Sequence, residues 1–428
     1  MKEGILNKFR SLWQDKNLRQ KLLITFGLFL IFRFLAFVPV PAIDIPKLRE
    51  LVTSNQFFAL LDIFSGGTVF NFSVIALGLG PYINASIIIQ LLTVMLPQLE
   101  ALAKEGDYGR AKINQYTRFL TLPISILQAI GIYVYLQNQN IISSLNFVEF
   151  LGFVVTMVAG TYITVWIGEL ISEYGLGNGI SLLIFVGIIA RAPVVFARTF
   201  MTIDQEMIIT SLILLGLSLA VVYAVVFINE AVRRVPVYYA KRIRGNKMLQ
   251  GANSYLPLKL NQAGVIPIIF AISFVLFPQL IGNFLQYSKV PVVATIAKFL
   301  ATTFSSQGIV YNIFYFLLVF GFTFFYTIVV FNPDKIADEI QKNGGFIPGI
   351  RPGASTKKYL QSIVYKITTF GALFLGVIAI LPSIASSFSG IQGIMIGGTG
   401  ILIVVSVVLE TFKLIESQLA MKKYDTFM

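Results

Sequence analysis

The sequence predicts an all-helical integral membrane protein with ten spanning helices, and three observations carry that prediction. First, 56% of the 428 residues are hydrophobic and 12% are charged, whereas soluble domains carry about a quarter charged residues. Second, ten windows approach the ~20 apolar residues a helix needs to cross hydrocarbon. They are 22–40, 75–96, 116–136, 147–170, 179–196, 207–228, 262–285, 309–331, 360–381 and 393–414. Third, the basic residues are sorted by side. With the N-terminus inside, 26 of the 33 Lys and Arg residues fall on the inner side, six fall on the outer side, and Arg33 lies within the first span. This bias predicts that both termini are cytoplasmic, which requires an even number of spans.

The elements follow in order. The amphiphilic head, 1–21, runs into the first span, which ends at Pro39 and Pro41. That ending is not a small-residue cleavage site, so no cleaved leader is expected. The stretch "DIFSGGTVFNFSVIALG" (62–78) is apolar enough to enter a membrane, yet Gly66, Gly67 and Asn71 interrupt it, and it is too short to span. Pro81, Pro123, Pro267 and Pro278 fall inside spans, where neighbouring helices can satisfy the freed backbone groups.

Two inner loops are long: 229–261, with "NEAVRRVPVYYAKRIRGNK", and 332–359, with "NPDKIADEIQKNGGFIPGIRPGASTKKY". Basic loops attract anionic lipid, by ~1 kcal/mol per Lys or Arg near the surface. These two also mix Tyr, Pro, Ile and Gly with the charge, which suits protein docking. The spans divide five and five near residue 200 into an N-terminal half, 1–200, and a C-terminal half, 201–428. Inverted halves of this kind are common in transporters and channels. The glycine-containing approaches "GLGPYIN" and "LNQAGVIP" to spans two and seven echo one another.

Composition also excludes chemistry. The chain has no Cys and no His, so disulfides, Cys/His metal sites and His-dependent nucleophilic triads are ruled out. No phosphate loop or dinucleotide loop is present. Enzyme activity, a cofactor and a metal are therefore not expected. A secondary transporter for a small solute is the competing reading. It calls for a carboxylate at membrane depth, and Glu149, Glu169, Glu173 and Glu410 all lie near span ends. Arg33 is the one charge well inside a span, expected to snorkel outward or to pair with a carboxylate. Leu79 and Ile83, Ile180 and Ile184, and Ile269 and Ser273 each share a helix face at i, i+4. Spacing alone reads them as packing or lipid-facing surface.

Six strings lift these positions out of that background: "FSGG…NFSVIALGLGPYINASIIIQLLT", "KINQYTR", "GLGNGISLLIF", "LPLKLNQAGVIPIIFA", "NPDKIADEIQKNGGFIPGIRPG" and "GGTGILIVV", in order from Phe64 to Val405. With them the chain resembles the SecY family, the pore subunits of the bacterial protein-translocation channel, over essentially its whole length. The resemblance implies a second helix split into a short plug and a spanning half. The plug would be Phe64, Ser65, Gly66, Gly67, Thr68, Val69, Phe70, Asn71, Phe72 and Ser73, a weak helix easily displaced.

The resemblance further implies an apolar pore ring of Leu79, Ile83, Ile184, Ile269 and Ile403. Ser273 stands at a sixth ring position that is more often aliphatic. A ring of this kind seals by dewetting. A lateral gate would open between spans 2–3 and 7–8, with polar Asn84, Gln90 and Asn261, and with Phe277 on the gate side. Signal sequences would partition through it into lipid, gaining ~0.3–0.6 kcal/mol per strongly apolar residue. Arg233, Arg234, Lys241, Arg242 and Arg351 fall at the family's docking sites for the ribosome and the SecA motor, where Arg can grip phosphates bidentately. SecE and SecG are the expected membrane partners, a nascent chain the cargo, and the bacterial cytoplasmic membrane the location.

Overall fold

In a computed structural model of the chain, the described residues are 15–425 apart from 42, 55–61, 63–64, 202–207, 240–242, 245–246, 249–252, 287–289, 306–307 and 390–397. Each of the ten expected spans coincides with a helix. These are α1 (Lys16–Leu35), α3 (Gly80–Met95), α5 (Asp107–Asn138), α6 (Phe147–Tyr174), α7 (Gly179–Met201), α8 (Ile208–Glu230), α9 (Ile266–Leu285), α11 (Ile309–Val330), α13 (Ala354–Ser389) and α14 (Gly398–Asp425). Four shorter helices join them: α2 (Ile45–Ser54), α4 (Pro97–Lys104), α10 (Pro291–Thr303) and α12 (Pro333–Lys342).

Local chemistry sets the ends of these elements. The Asp15 side chain accepts from the Asn17 amide and caps α1. Proline stands in the first turn of α3, α4, α9, α10 and α12, where its missing N–H costs nothing. α3 stops at extended Leu96, because Pro97 disfavours a helical residue before it. The chain then turns by 100° into α4. The second span starts at Gly80, five residues later than the sequence predicts, because after helical Ser65 the chain runs in turns from 66 to 79.

The exposed side of the helices is apolar. Leu23, Phe26, Leu30 and Phe34 line one side of α1, and Leu212, Leu215, Leu219 and Tyr223 line one side of α8, all more than half exposed. Water would penalise such faces, so their solvent is hydrocarbon. Five described helices alone are long and apolar enough to cross a membrane, and the protein is a multi-pass membrane protein. The largest apolar cluster draws on both ends of the chain, joining Ile87, Leu136 and Met157 to Ile268, Val275 and Val319.

The long inner loops depart from the all-helical expectation. β1 (Val232–Tyr239) pairs antiparallel with β4 (Asn253–Lys259), from Val232 opposite Lys259 to Tyr238 opposite Asn253. β5 (Gly345–Phe346), from the other loop, pairs with the far edge of β1. A short ribbon of β2 (Ile243–Arg244) and β3 (Lys247–Met248) lies between β1 and β4 in the chain. The two loops thus form one lobe with its own core of Val235, Val237, Leu258, Ile340, Ile347 and Leu360. Val235 and Val237 stand two residues apart in β1 and are both buried, the two-residue period of a half-buried strand.

Candidate pore and its closure

Residues from four helices and one turn meet at the centre of the bundle. Leu79, Ile83, Ile184, Ile269, Ser273 and Ile403 all line a single cavity of about 160 Å³. Leu79 and Ile83 come from the start of α3, Ile184 from α7, Ile269 and Ser273 from α9, and Ile403 from α14. Leu79, Ile184 and Ile403 are buried, and the other three are half-buried. Around them the lining is apolar apart from the side chains of Ser65, Asn84, Gln128 and Ser273. A space this size holds a handful of waters at ~30 Å³ each and no polypeptide. Its wall is mostly hydrocarbon, broken by those four polar side chains, and no charged side chain lines it.

The turn run 65–79 covers the cavity, contributing Ser65, Val69 and Phe72 to its wall. It is not the weak helix the sequence predicts. Gly66, Gly67, Gly78 and the non-glycine Phe72 all have positive φ, at 78°, 88°, 54° and 41°, a region closed to helix. Its backbone bonds go elsewhere. Val40 N donates to Phe72 O at 2.9 Å, and Val74 N donates to Val38 O at 2.9 Å, so the chain leaving α1 pairs briefly with the run. Two contacts need glycine. A Cβ on Gly66 would lie 2.6 Å from the Cα of Gly187 in α7, and one on Gly160 of α6 would lie 1.9 Å from the Val74 carbonyl oxygen. The run therefore rests backbone to backbone on two helices. Phe64 lies outside the described residues.

Among the described residues Arg33 forms no direct ion pair, and it turns inward to the turn run. Its Nη1 donates to the Gly66 carbonyl oxygen at 2.5 Å, and its guanidinium lies 5.3 Å from the Phe37 ring centre. The nearby carboxylate, Asp62, is engaged by Arg191 at 2.7 Å. Arg191 is one of the six basic residues that the charge pattern places on the outer side. An arginine inside the apolar run "SLLIFVGIIAR" was the available signal.

The structure separates the expected gate residues. Asn84 and Phe277 line the cavity, from α3 and α9, which pack against each other. Asn84 Oδ1 is buried with no hydrogen-bond partner among the described residues. Gln90 lies further along α3, its Nε2 3.4 Å from Ser86 Oγ. Asn261 is elsewhere: it donates to Asn229 Oδ1 at 2.9 Å and Gly264 O at 3.2 Å, and Asn229 donates to Ser406 Oγ at 2.9 Å. That chain of amides ties the start of α9 to α8 and α14. Gln128, on α5, stands on the cavity wall beside Gly80 and Asn84. Sequence reasoning missed it, because one Gln in a span carries no pattern.

On the lobe, Arg233 and Arg234 are exposed on β1, and Arg351 is exposed in the turn before α13. Lys241 and Arg242 lie outside the described residues. The shared sheet brings the two loops' arginines onto one body.

A bundle of membrane helices converging on a mostly apolar cavity lined by a run of turns is the architecture of a channel. Comparison with known proteins gives it a family. The SecY family profile matches residues 73–412. The chain is 42% identical to a protein translocase subunit SecY of Aquifex aeolicus, with 98% of each chain covered. It is 40% identical to that of Mycobacterium tuberculosis, covering 99% of this chain and 100% of the relative. Among solved structures, a SecY channel described for its plug domain superposes with a TM-score of 0.65 at 22% identity, covering 93% of this chain and 92% of that one. A protein-conducting channel superposes at 0.61 and 20% identity, with the same coverage. The chain belongs to the SecY family.

Proposed function

We propose that the chain is the passive, gated polypeptide channel of a protein translocase, carrying secretory segments across the membrane and releasing apolar ones sideways into it. The observation that supports this most is the convergence of six residues, scattered from 79 to 403 in sequence, on one mostly apolar cavity whose wall the turn run completes. In this reading Leu79, Ile83, Ile184, Ile269, Ser273 and Ile403 form the pore ring. Branched apolar side chains exclude water and deform around any passing sequence, because they offer it no specific hydrogen bond. Residues 65–73 are the plug. The gate opens between α3 and α9, where the unpaired Asn84 amide oxygen meets a donor once a segment enters. The solute-transporter reading has no observation in its favour.

The exposed arginines of the lobe, Arg233, Arg234 and Arg351, are the proposed docking points for a ribosome or an ATP-hydrolysing SecA motor. A canine Sec61 channel and a yeast Ssh1 complex, similar in fold, were solved with ribosomes. SecE and SecG are proposed as membrane partners. The proposed setting is the bacterial cytoplasmic membrane with both termini inside, and 1–200 and 201–428 acting as the two halves of the clamshell.

The absence of cysteine makes the test clean. A single cysteine at Ile83 or Ile269 should form a disulfide with a cysteine in a stalled secretory precursor, and one at Val404 should not. No link at either ring position, with docking intact, would reduce the chain to a receptor.

A further inference from the structure

We propose that Asp62, Arg191 and Arg33 form a charge latch that positions the plug in its closed seat, an inference that rests on the plug reading above. Asp62 is the centre of the latch. It is 1% exposed, and it holds the turn run at several points. Its Oδ1 accepts the Phe70 amide at 2.7 Å, and its backbone oxygen accepts the Gly67 amide at 2.8 Å and the Ser65 hydroxyl at 3.2 Å. Its Oδ2 is the atom that meets Arg191 Nη2 on α7 at 2.7 Å. One carboxylate thus folds the plug and fastens it to a spanning helix.

The remaining contacts repeat the pattern from other directions. From α1, Arg33 donates to the Gly66 carbonyl. From α2, Arg49 Nη2 donates to Asn71 Oδ1 at 3.3 Å. The Phe70 ring lies between two guanidiniums, Arg191 at 4.5 Å and Arg49 at 4.9 Å. Three elements outside the plug each send one arginine to it.

The physics favours a latch over plain packing. Gly66 and Gly67 bury no side chain, and Gly66 meets Gly187 backbone to backbone, so the seat there gains little from apolar contact. A nearly buried ion pair adds little net stability against an apolar alternative, yet separating the partners without rehydrating them is costly. The closed state is therefore all or none. Arg191 and Asp62 part only when water reaches both. Arg191 and Arg33 stay behind on their spans, and Asp62 leaves with the plug.

The test uses the full chain, purified with its membrane partners and fused into planar bilayers. Asp62→Asn keeps an acceptor for Phe70 but removes the charge, and Arg191→Gln removes the other half of the pair. Each should raise resting ion conductance at least ~tenfold, equivalent to ~1.4 kcal/mol. The double variant should exceed either single only slightly, because both break one interaction. Arg191→Lys should restore most of the closure. Arg33→Gln, which gives up one hydrogen bond to a carbonyl, should raise conductance about threefold. It gives an independent reading if a charge variant is not recovered. Deleting 65–71 is the control. If the deletion leaks while Asp62→Asn and Arg191→Gln, or in their place Arg33→Gln, stay tight, the latch is wrong and the plug stands. Additive effects in the double variant would also overturn the latch. If the deletion itself stays tight, the plug reading fails.

Discussion

The turn run 65–79 and the lobe built by the two long loops are both glycine-bearing departures from the spanning helices, yet they are held by different means. The lobe has a seven-pair ladder between β1 and β4 and a core of nine buried apolar residues. Its contacts are many, cooperative and non-directional, and losing one leaves the rest in place. The turn run has a single-residue bridge to the α1 exit, two glycine seats, and a set of arginine contacts. It also buries Val69, Phe72, Ile75 and Ala76 in the two main apolar clusters, but its polar fastenings are few, so each carries a larger share of the hold on the glycine end. The difference suits their proposed roles. A platform on which a ribosome or motor pushes has to stay folded, whereas a cover over a pore has to come away whole and return.

The comparison breaks most sharply at the seats. Gly160→Ala places a methyl carbon where only the Val74 carbonyl fits. A clash with backbone cannot be relieved by a rotamer, so the cost to the closed state should exceed ~3 kcal/mol. The expected outcome is a large rise in resting ion conductance, with hydrogen exchange in the lobe unchanged. Slower exchange or no leak would mean that the run does not depend on this contact. Val237→Asp is the mirror test. It buries an unpaired carboxylate in the lobe core, at ~3 kcal/mol or more. Exchange of the β1 and β4 amides should accelerate and ribosome binding should weaken, while the bilayer stays tight.

Two smaller changes sharpen the contrast. Ile269→Asn puts an amide on the cavity wall and invites water in, at ~1–3 kcal/mol for the polar group in place of the apolar one. Conductance should rise several-fold even with the cover seated. Tyr238→Ala removes the ring stacked 6.2 Å from Phe346 across β1 and β5. The loss should be ~0.5–1.5 kcal/mol beyond the area effect. It should appear as faster exchange at the β5 edge and nowhere in the conductance.

The sequence by itself determined the spans, because hydrocarbon imposes a length and a composition that ten windows meet, and the basic residues predicted their orientation. It also marked 62–78 as an interruption, because two adjacent glycines and an asparagine cannot sustain a helix there. The six ring positions were legible only through the resemblance. Spacing placed Leu79 beside Ile83, but nothing local says that Ile403 faces Ile184 across more than two hundred residues.

Tertiary structure decided the rest. Whether 65–73 coils or turns depended on Asp62 taking the Phe70 amide and on Gly187 standing opposite Gly66. Asn261 went to an amide chain with Asn229 instead of to the cavity with Asn84, because the start of α9 lies against α8 and α14. Arg33 found a carbonyl because Arg191 had already engaged the carboxylate. The two basic loops, read apart in sequence, closed into one sheet because β5 pairs with the edge of β1 that β4 leaves open. In each case a long-range partner overrode a local preference, and local preference is all that a pattern in one chain records.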